Sequence, residues 1–497
     1  MINPYHCRMP RLMFFFSFFL NSLCLFSAGV TFTPNCHQAY SSLIAFRLVE
    51  ARSILSTERQ LYADNRVIDY LENYLHFFEV MASDDKKAYD SRLLQFEQRL
   101  DKLDELPDHS PWKLFFKSEC QTQWAILHFR MGEYLRGVWE LRKAYHSVQQ
   151  NRTRFPAFRP QVKTEAVIAV LLSTVPESYT WALNLLGMQV GLSNGIADLQ
   201  KMGEDEGNMY RVECELMYAI LTMNLSGKKD EARVYLERHN HPIQGNLLSH
   251  YVYAFLCVHS FQATRAIETI QQAPTGREYP AFPYLDYLLG LAKTYRSDAD
   301  AERYLQRFIQ RQSGRNHVRA AWQKIGWNRL LSGDAQGYFT AMSRLLREGR
   351  NHLDQDQQAT LEARQKKLPD VQLLKARLLY DGGYFQPALD TLKLIPIHLF
   401  TDPERITEYH YRKGKIYQGM KQFSLASSAY ILAVKSGRSL HRYFASYASY
   451  ELGAMAEKEG KKILAKQYYS DCLSMPDHEY STGLQPKIRL ALQRVSR

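Results

Sequence analysis

The chain is short of the residues that interrupt helices. It has 18 prolines and 25 glycines in 497 residues, against 32 tyrosines and 25 phenylalanines. An all-β sandwich or barrel needs a turn about every 8–12 residues, so this composition excludes one and favours long, aromatic-rich helices. Cysteine is scarce too. Of seven, Cys7 and Cys24 fall near the start; Cys36, Cys120, Cys214, Cys257 and Cys472 are widely and irregularly spaced, with no CxxC. That rules out a disulfide framework or a zinc ribbon and leaves small apolar fillers on helices, with one bridge of unassigned pairing open. The net charge is +12 and the pI about 9.1, yet no run of five like charges occurs. A solvated basic surface is the first reading, and weak attraction to an anionic membrane the next. Tyr and Phe at helical spacing read as core rather than as nucleobase platforms, so no nucleic-acid partner is expected.

Catalytic signatures are missing as well. The glycines between Gly187 and Gly195 are followed by no GKS or GKT, and GxSxG and HExxH do not occur. His239-Asn240-His241 brings only two imidazoles together and reads as an exposed turn between helices. His250 and His259 share a helix but stand nine residues apart. Glu204-Asp205-Glu206, beside Gly203 and Gly207, reads as a loop or a helix start. The expectation is a chain with no catalytic residues, no metal and no cofactor, hence not an enzyme. An enzyme with a site built from scattered helical residues is the remote alternative.

What is present begins at the amino terminus. Arg8 and Arg11 precede an apolar run from Leu12 to Phe26, followed by Ser27-Ala28-Gly29. A positive flank, a short apolar run and small residues make a secretory signal peptide. The 15-residue run is shorter than the roughly 20 residues that span a bilayer. Residues 1–29 are therefore expected to direct export to a bacterial periplasm or envelope, with cleavage near Gly29. Retention as a membrane anchor is the alternative. No later stretch is apolar enough to span a membrane.

Beyond the leader, apolar residues recur at helical spacing. Val67 to Met81, Trp112 to Met131, Leu247 to Phe261 and Tyr409 to Met420 read as amphipathic helices. Pro107-Asp108, Ser226-Gly227, Asp381-Gly382-Gly383 and Ser436-Gly437 read as breaks. The sequence also repeats itself. Gly414, Tyr417, Ala426, Tyr430 and Ala433 are echoed by Gly453, Ala456, Ala465, Tyr469 and Cys472, and preceded by Ala376, Leu379, Ala388 and Leu392. Ala388, Ala426 and Ala465 are 38 and 39 residues apart. Each unit reads as two helices whose axes approach where Gly or Ala removes a side chain, while Tyr, Phe or Leu one turn away fills the adjoining space.

This pattern resembles the tetratricopeptide (TPR) family, in which a small residue is followed by an aromatic three later, an Ala twelve later and an aromatic four beyond. Ala125, Gly132, Tyr134, Gly137, Leu141 and Ala144 form an earlier unit. Ala254 to Ala266, Gly290 to Phe308 and Gly326 to Met342 are weaker, the last with Tyr338 where a small residue is expected. A narrower resemblance, over about residues 165–497, is to the inclusion-body-clearance family of TPR proteins linked to the mitochondrial outer membrane. It rests on Leu185-Leu186-Gly187, Gly195-Ile196-Ala197-Asp198-Leu199, the helix through Tyr284 to Leu291, and Trp322 to Leu331 before Ser332-Gly333-Asp334.

The resemblance implies an all-α solenoid of antiparallel helix pairs: an N-terminal helical segment over 30–110, degenerate repeats over 111–365 and clearer ones over 366–497. It also implies a scaffold or adaptor that holds a protein or peptide in a concave groove lined by the first helix of each unit. Offsetting by one position from the packed residues puts Leu373, Arg377 and Tyr380, then Glu408, Tyr411, Lys415 and Gln418, then Tyr447, Tyr450 and Glu457 in that groove. Their mix of Tyr, Arg and Lys suits a partner bearing carboxylates. The runner-up is a membrane-anchored helical protein whose basic surface faces lipid or an envelope complex.

Overall fold

The computed structural model describes residues 29–174, 192–478 and 480–496. The leader up to residue 28 and Leu185-Leu186-Gly187 lie outside them. Among the described residues the chain forms 24 α-helices and no strand, so it is all-α.

Seven of the described helices start at a side-chain cap. Thr33, Asn65, Asp85, Asn246, Asp334, Asp370 and Asp402 each accept a hydrogen bond from a first-turn backbone N–H. Those donors have no partner inside the helix, so each cap contributes about 1 kcal/mol. Pro111 and Pro403 open their helices at a position that needs no N–H. The breaks fall where expected: Pro107-Asp108 lies between Lys86–Asp104 and Pro111–Met131, and Gly227 ends Arg211–Ser226. The Leu247–His259 helix stops short of Phe261, which turns the chain at φ 59°. Glu204 closes the Leu192–Glu204 helix, and Asp205 and Glu206 follow in a loop.

Most consecutive described helices pack on each other, and several alternate ones touch as well, as do Val371–Asp381 with Pro403–Gly419 and Pro403–Gly419 with Tyr443–Lys458; Val371–Asp381 also packs on Tyr284–Arg296 and Val318–Leu331. The small residues sit at these crossings. A Cβ on Gly414 would lie 2.5 Å from the Tyr430 ring, and one on Gly453 would lie 2.6 Å from Tyr469. A Cβ on Gly326 would lie 2.7 Å from Met342 and 3.3 Å from the Tyr338 ring, so the crossing stays close although Tyr338 replaces the small residue of the sequence pattern. Tyr338 instead donates to Glu362 at 3.0 Å.

The apolar core does not divide at residue 110. One cluster runs from Val30 to Leu378, and three smaller ones follow, reaching Ile416, Met455 and Val495. Segments distant in sequence meet at a seam. The position of a Cβ on Gly383, which has φ 87°, is 2.0 Å from the Phe261 carbonyl oxygen, and Ala263 N–H donates to Gly382 O at 3.2 Å. All five described cysteines are buried free thiols.

A polar knot lies inside the large cluster. The Lys163 ammonium donates to Glu119 and, at 3.0 Å, to Glu213. Tyr40 donates to Glu213 at 2.6 Å, and the Tyr74 hydroxyl is 2.7 Å from Glu119. The Lys163 side chain has no exposed surface. Burial opposes its charge, but the two carboxylates prevail and hold its pKa above the ordinary lysine value.

Candidate functional site

Three helices, Val371–Asp381, Pro403–Gly419 and Tyr443–Lys458, present polar and aromatic side chains to a groove of about 900 Å³. Helices Val318–Leu331 and Asp354–Gln365 complete its wall with Lys324, Trp327 and Glu362. A smaller cavity of about 170 Å³ shares Arg377, Arg412 and Tyr443 with it.

Four of the ten groove residues expected from sequence, Arg377, Tyr380, Tyr411 and Lys415, line the small cavity. Arg377 and Glu408 line the large groove. Leu373 is 1% exposed and belongs to the core. Gln418 is occupied between helices: it accepts from the Tyr430 hydroxyl at 2.6 Å and donates to Glu451 at 2.9 Å. Glu457 makes the equivalent bond to Tyr469 at 2.7 Å and pairs with Arg494 at 2.9 Å. Tyr447 sits edge-on to Tyr443, and Tyr450 packs 5.7 Å from Tyr469. Leu373 and the last four residues, Gln418, Tyr447, Tyr450 and Glu457, line neither cavity.

Tyr411 and Lys415 hold the array together as well as facing the cavity. Tyr411 is buried among Tyr430, Tyr443 and Phe444. Lys415 pairs with Glu451 at 2.8 Å. Burial raises the Glu451 pKa, but Lys415 and Gln418 outweigh it and leave the carboxyl below its usual value. Removing Tyr411 and Lys415 together therefore disturbs packing as much as any surface.

The offset rule missed Arg412, Tyr443 and Asp381. Arg412 pairs with Glu408 at 2.8 Å and donates to the Tyr443 hydroxyl at 3.1 Å. The 408/412 and 377/381 spacings of four were available as a signal. Lys324, Trp327 and Glu362 come from the degenerate repeats, and nothing in their local sequence pairs them with Arg377.

The inner groove has an unusual charge arrangement. The Trp327 ring has Lys324 at 4.4 Å and Arg377 at 5.1 Å from its centroid. Glu362 is occupied by neutral donors, Gln323 at 2.6 Å and Trp327 at 2.7 Å. The Lys324 ammonium donates to Gln323, and among the described residues no carboxylate pairs with it. Burial, then Arg377, push its pKa down to about 8. Because that lies below the unfolded value of 10.5, the unfolded chain binds more protons between about pH 8 and 10.5, and stability rises with pH across that window. The deficit is full below pH 8. Lys324→Met is therefore expected to raise unfolding free energy at pH 7 by up to about 3 kcal/mol, with the difference from wild type shrinking at pH 10 in denaturant titrations. A Met variant no more stable than wild type at pH 7 would refute this.

The histidine turn departs from its expected exposure. His241 is buried, with Nδ1 2.7 Å from the Ser249 hydroxyl and Nε2 2.8 Å from Glu215. Both ring nitrogens are engaged in tying the turn to two helices. His250 and His259 are each occupied by a backbone carbonyl of their own helix. Among the described residues no cluster of three metal-ligating side chains occurs.

Among the described residues, fold and groove together define an all-helical chain with a polar-aromatic cleft walled by several helices. No family model matches the chain, and no curated protein matches it.

Proposed function

We propose that the chain is an α-solenoid of tetratricopeptide type that acts as an exported adaptor, holding a segment of another protein in its groove without catalysis. Support for the repeat comes from bonds that recur with the sequence. Gly414, Tyr430 and Gln418 in one unit correspond to Gly453, Tyr469 and Glu457, each 39 residues on, with the same close approach and the same tyrosine hydrogen bond.

The observation that carries the binding reading is the groove itself. Leu361, Leu368 and Val371 are exposed in its lining, about 40% each, beside Trp327, Tyr443 and Phe444. Several cations there are already paired: Arg405 with Asp370, Arg412 with Glu408, and Lys367 with Asp402 and Glu404 at 3.9 and 3.8 Å. Arg377 lies 3.7 Å from Asp381, which leaves Lys324 the least compensated. A partner carboxylate over Trp327 relieves it, while the partner's apolar side chains cover the exposed leucines and valine.

The test is affinity capture from the native cell envelope with wild-type protein and with Leu361→Asp/Leu368→Asp/Val371→Asp. These side chains are exposed, so the variant is expected to melt like wild type and to lose most of the captured partner. Recovery of the same partners in the same amounts removes the groove from the account. The export reading rests on residues 1–29 and predicts a mature chain starting near Val30. A start at Met1 or Met9, with the chain in the membrane fraction, favours the anchored alternative.

A further inference from the structure

The helix Phe423–Gly437 buries Ala426, Ala429, Tyr430 and Ala433 against its neighbours. Its other side should carry charges if it met only water. Instead Phe423, Leu425, Ile431 and Leu432 are 46–50% exposed there. From Met420 to Arg442 the chain has no Asp or Glu, while Lys421, Lys435, Arg438 and Arg442 are present. The second helix of the next unit, Lys462–Leu473, also exposes apolar side chains, with Asp471 its one acidic residue. Ile463 is 80% exposed and Leu464 37%, flanked by exposed Lys462 and Lys466. Arg438 pairs with Asp471, which ties the two helices into one surface. Among the described residues Lys421, Lys435, Lys462 and Lys466 have no carboxylate in ion-pair range.

We infer that this face docks on an anionic lipid bilayer, with Phe423, Leu425, Ile431, Leu432, Ile463 and Leu464 entering the headgroup boundary and the four lysines meeting lipid phosphates. Charge decides between the occupants of such a face. A second copy would bring the same lysines against one another, whereas an anionic membrane complements them. The apolar side chains are aliphatic apart from one phenylalanine and are spread across two helices with serines between them. That suits a fluid surface, which demands no shape match, better than the aromatic and arginine anchors that dominate protein interfaces. The inference concerns the second helices of the units and is independent of the groove, which the first helices line.

The experiment is co-sedimentation of the full chain with phosphatidylcholine vesicles, with and without phosphatidylglycerol, combined with carbene footprinting. Binding is expected only with phosphatidylglycerol, to weaken as salt is raised, and to reduce labelling of Phe423, Leu425, Ile431 and Ile463. Leu425→Glu/Ile431→Glu is expected to lower the partition coefficient at least about tenfold. Lys435→Gln/Lys466→Gln is expected to lower it about 25-fold, near fivefold per lysine; these side chains are exposed, so this pair keeps the test valid if the glutamate variant fails to fold. The apolar segment from Leu12 to Phe26, with Arg8 and Arg11 before it, is common to every variant, so vesicle binding that neither variant weakens assigns the membrane to it and overturns the inference, as does equal binding to both vesicle types. Unchanged footprints overturn it too, as does a variant that alters the oligomeric state while binding vesicles like wild type.

Discussion

Lys163→Ala is expected to cost about 3–5 kcal/mol of stability, because it strands two buried carboxylates. Glu119 and Glu213 face the ammonium from different helices, Pro111–Met131 and Arg211–Ser226, while Tyr40 and Tyr74 reach the same oxygens from two more. With the cation gone, each carboxylate must take up a proton or draw water into the core. Either response separates helices that the knot joins. Chemical unfolding at neutral pH should show the loss directly. A variant that neutralises the whole knot, Lys163→Met/Glu119→Gln/Glu213→Gln, should recover much of it, since uncharged groups of similar size carry no stranded charge. If the single variant unfolds at the wild-type midpoint, the knot is not a determinant of stability.

Gly414→Leu is expected to destabilise the carboxyl-terminal units by about 3 kcal/mol, the upper end of the range for overpacking a closed contact. The first added carbon already falls 2.5 Å from Tyr430. Displacing that ring also breaks its 2.6 Å bond to Gln418, so packing and hydrogen bonding fail together. Gly453→Leu should behave alike, because Tyr469 and Glu457 stand in the same relation. Gly414→Ala combined with Tyr430→Leu, which makes room at the crossing, should melt closer to wild type than Gly414→Ala alone. Thermal denaturation of the four proteins decides this, and an undisturbed Gly414→Leu would show the helix register to be wrong.

The helices were legible in the sequence because their signals are local. Caps such as Asp370 and Asp402, openers such as Pro111 and Pro403, and apolar residues at helical spacing act within one or two turns. The pairing of Gly414 with Tyr430 was legible too, since both lie in one unit. The groove was only half legible. Offsetting by one position found Arg377, Tyr380, Tyr411 and Lys415, but also took Leu373 from the core and Gln418 and Glu457 from contacts between helices. A polar residue beside a packed one faces either a groove or the next helix, and only the neighbour's position decides which. Lys324 beside Arg377, or Lys163 between two glutamates, depends on side chains many tens of residues apart. His241 shows the same limit: its local sequence reads as a turn, and its burial comes from Glu215 and Ser249 on other elements.

The seam at Phe261 and Gly383 bears on how this chain can change length. A carbonyl oxygen and a backbone carbon meet there with no space for a methyl group, so the segment between them has to arrive at a fixed place. Inserting or deleting a whole unit between residues 263 and 382 would carry Gly383 away from its contact. Among the described residues beyond 396 no comparable closure occurs, and each helix packs on the one before it. Designed variants with helices added or removed are therefore expected to keep their fold best when the change is made at the carboxyl end.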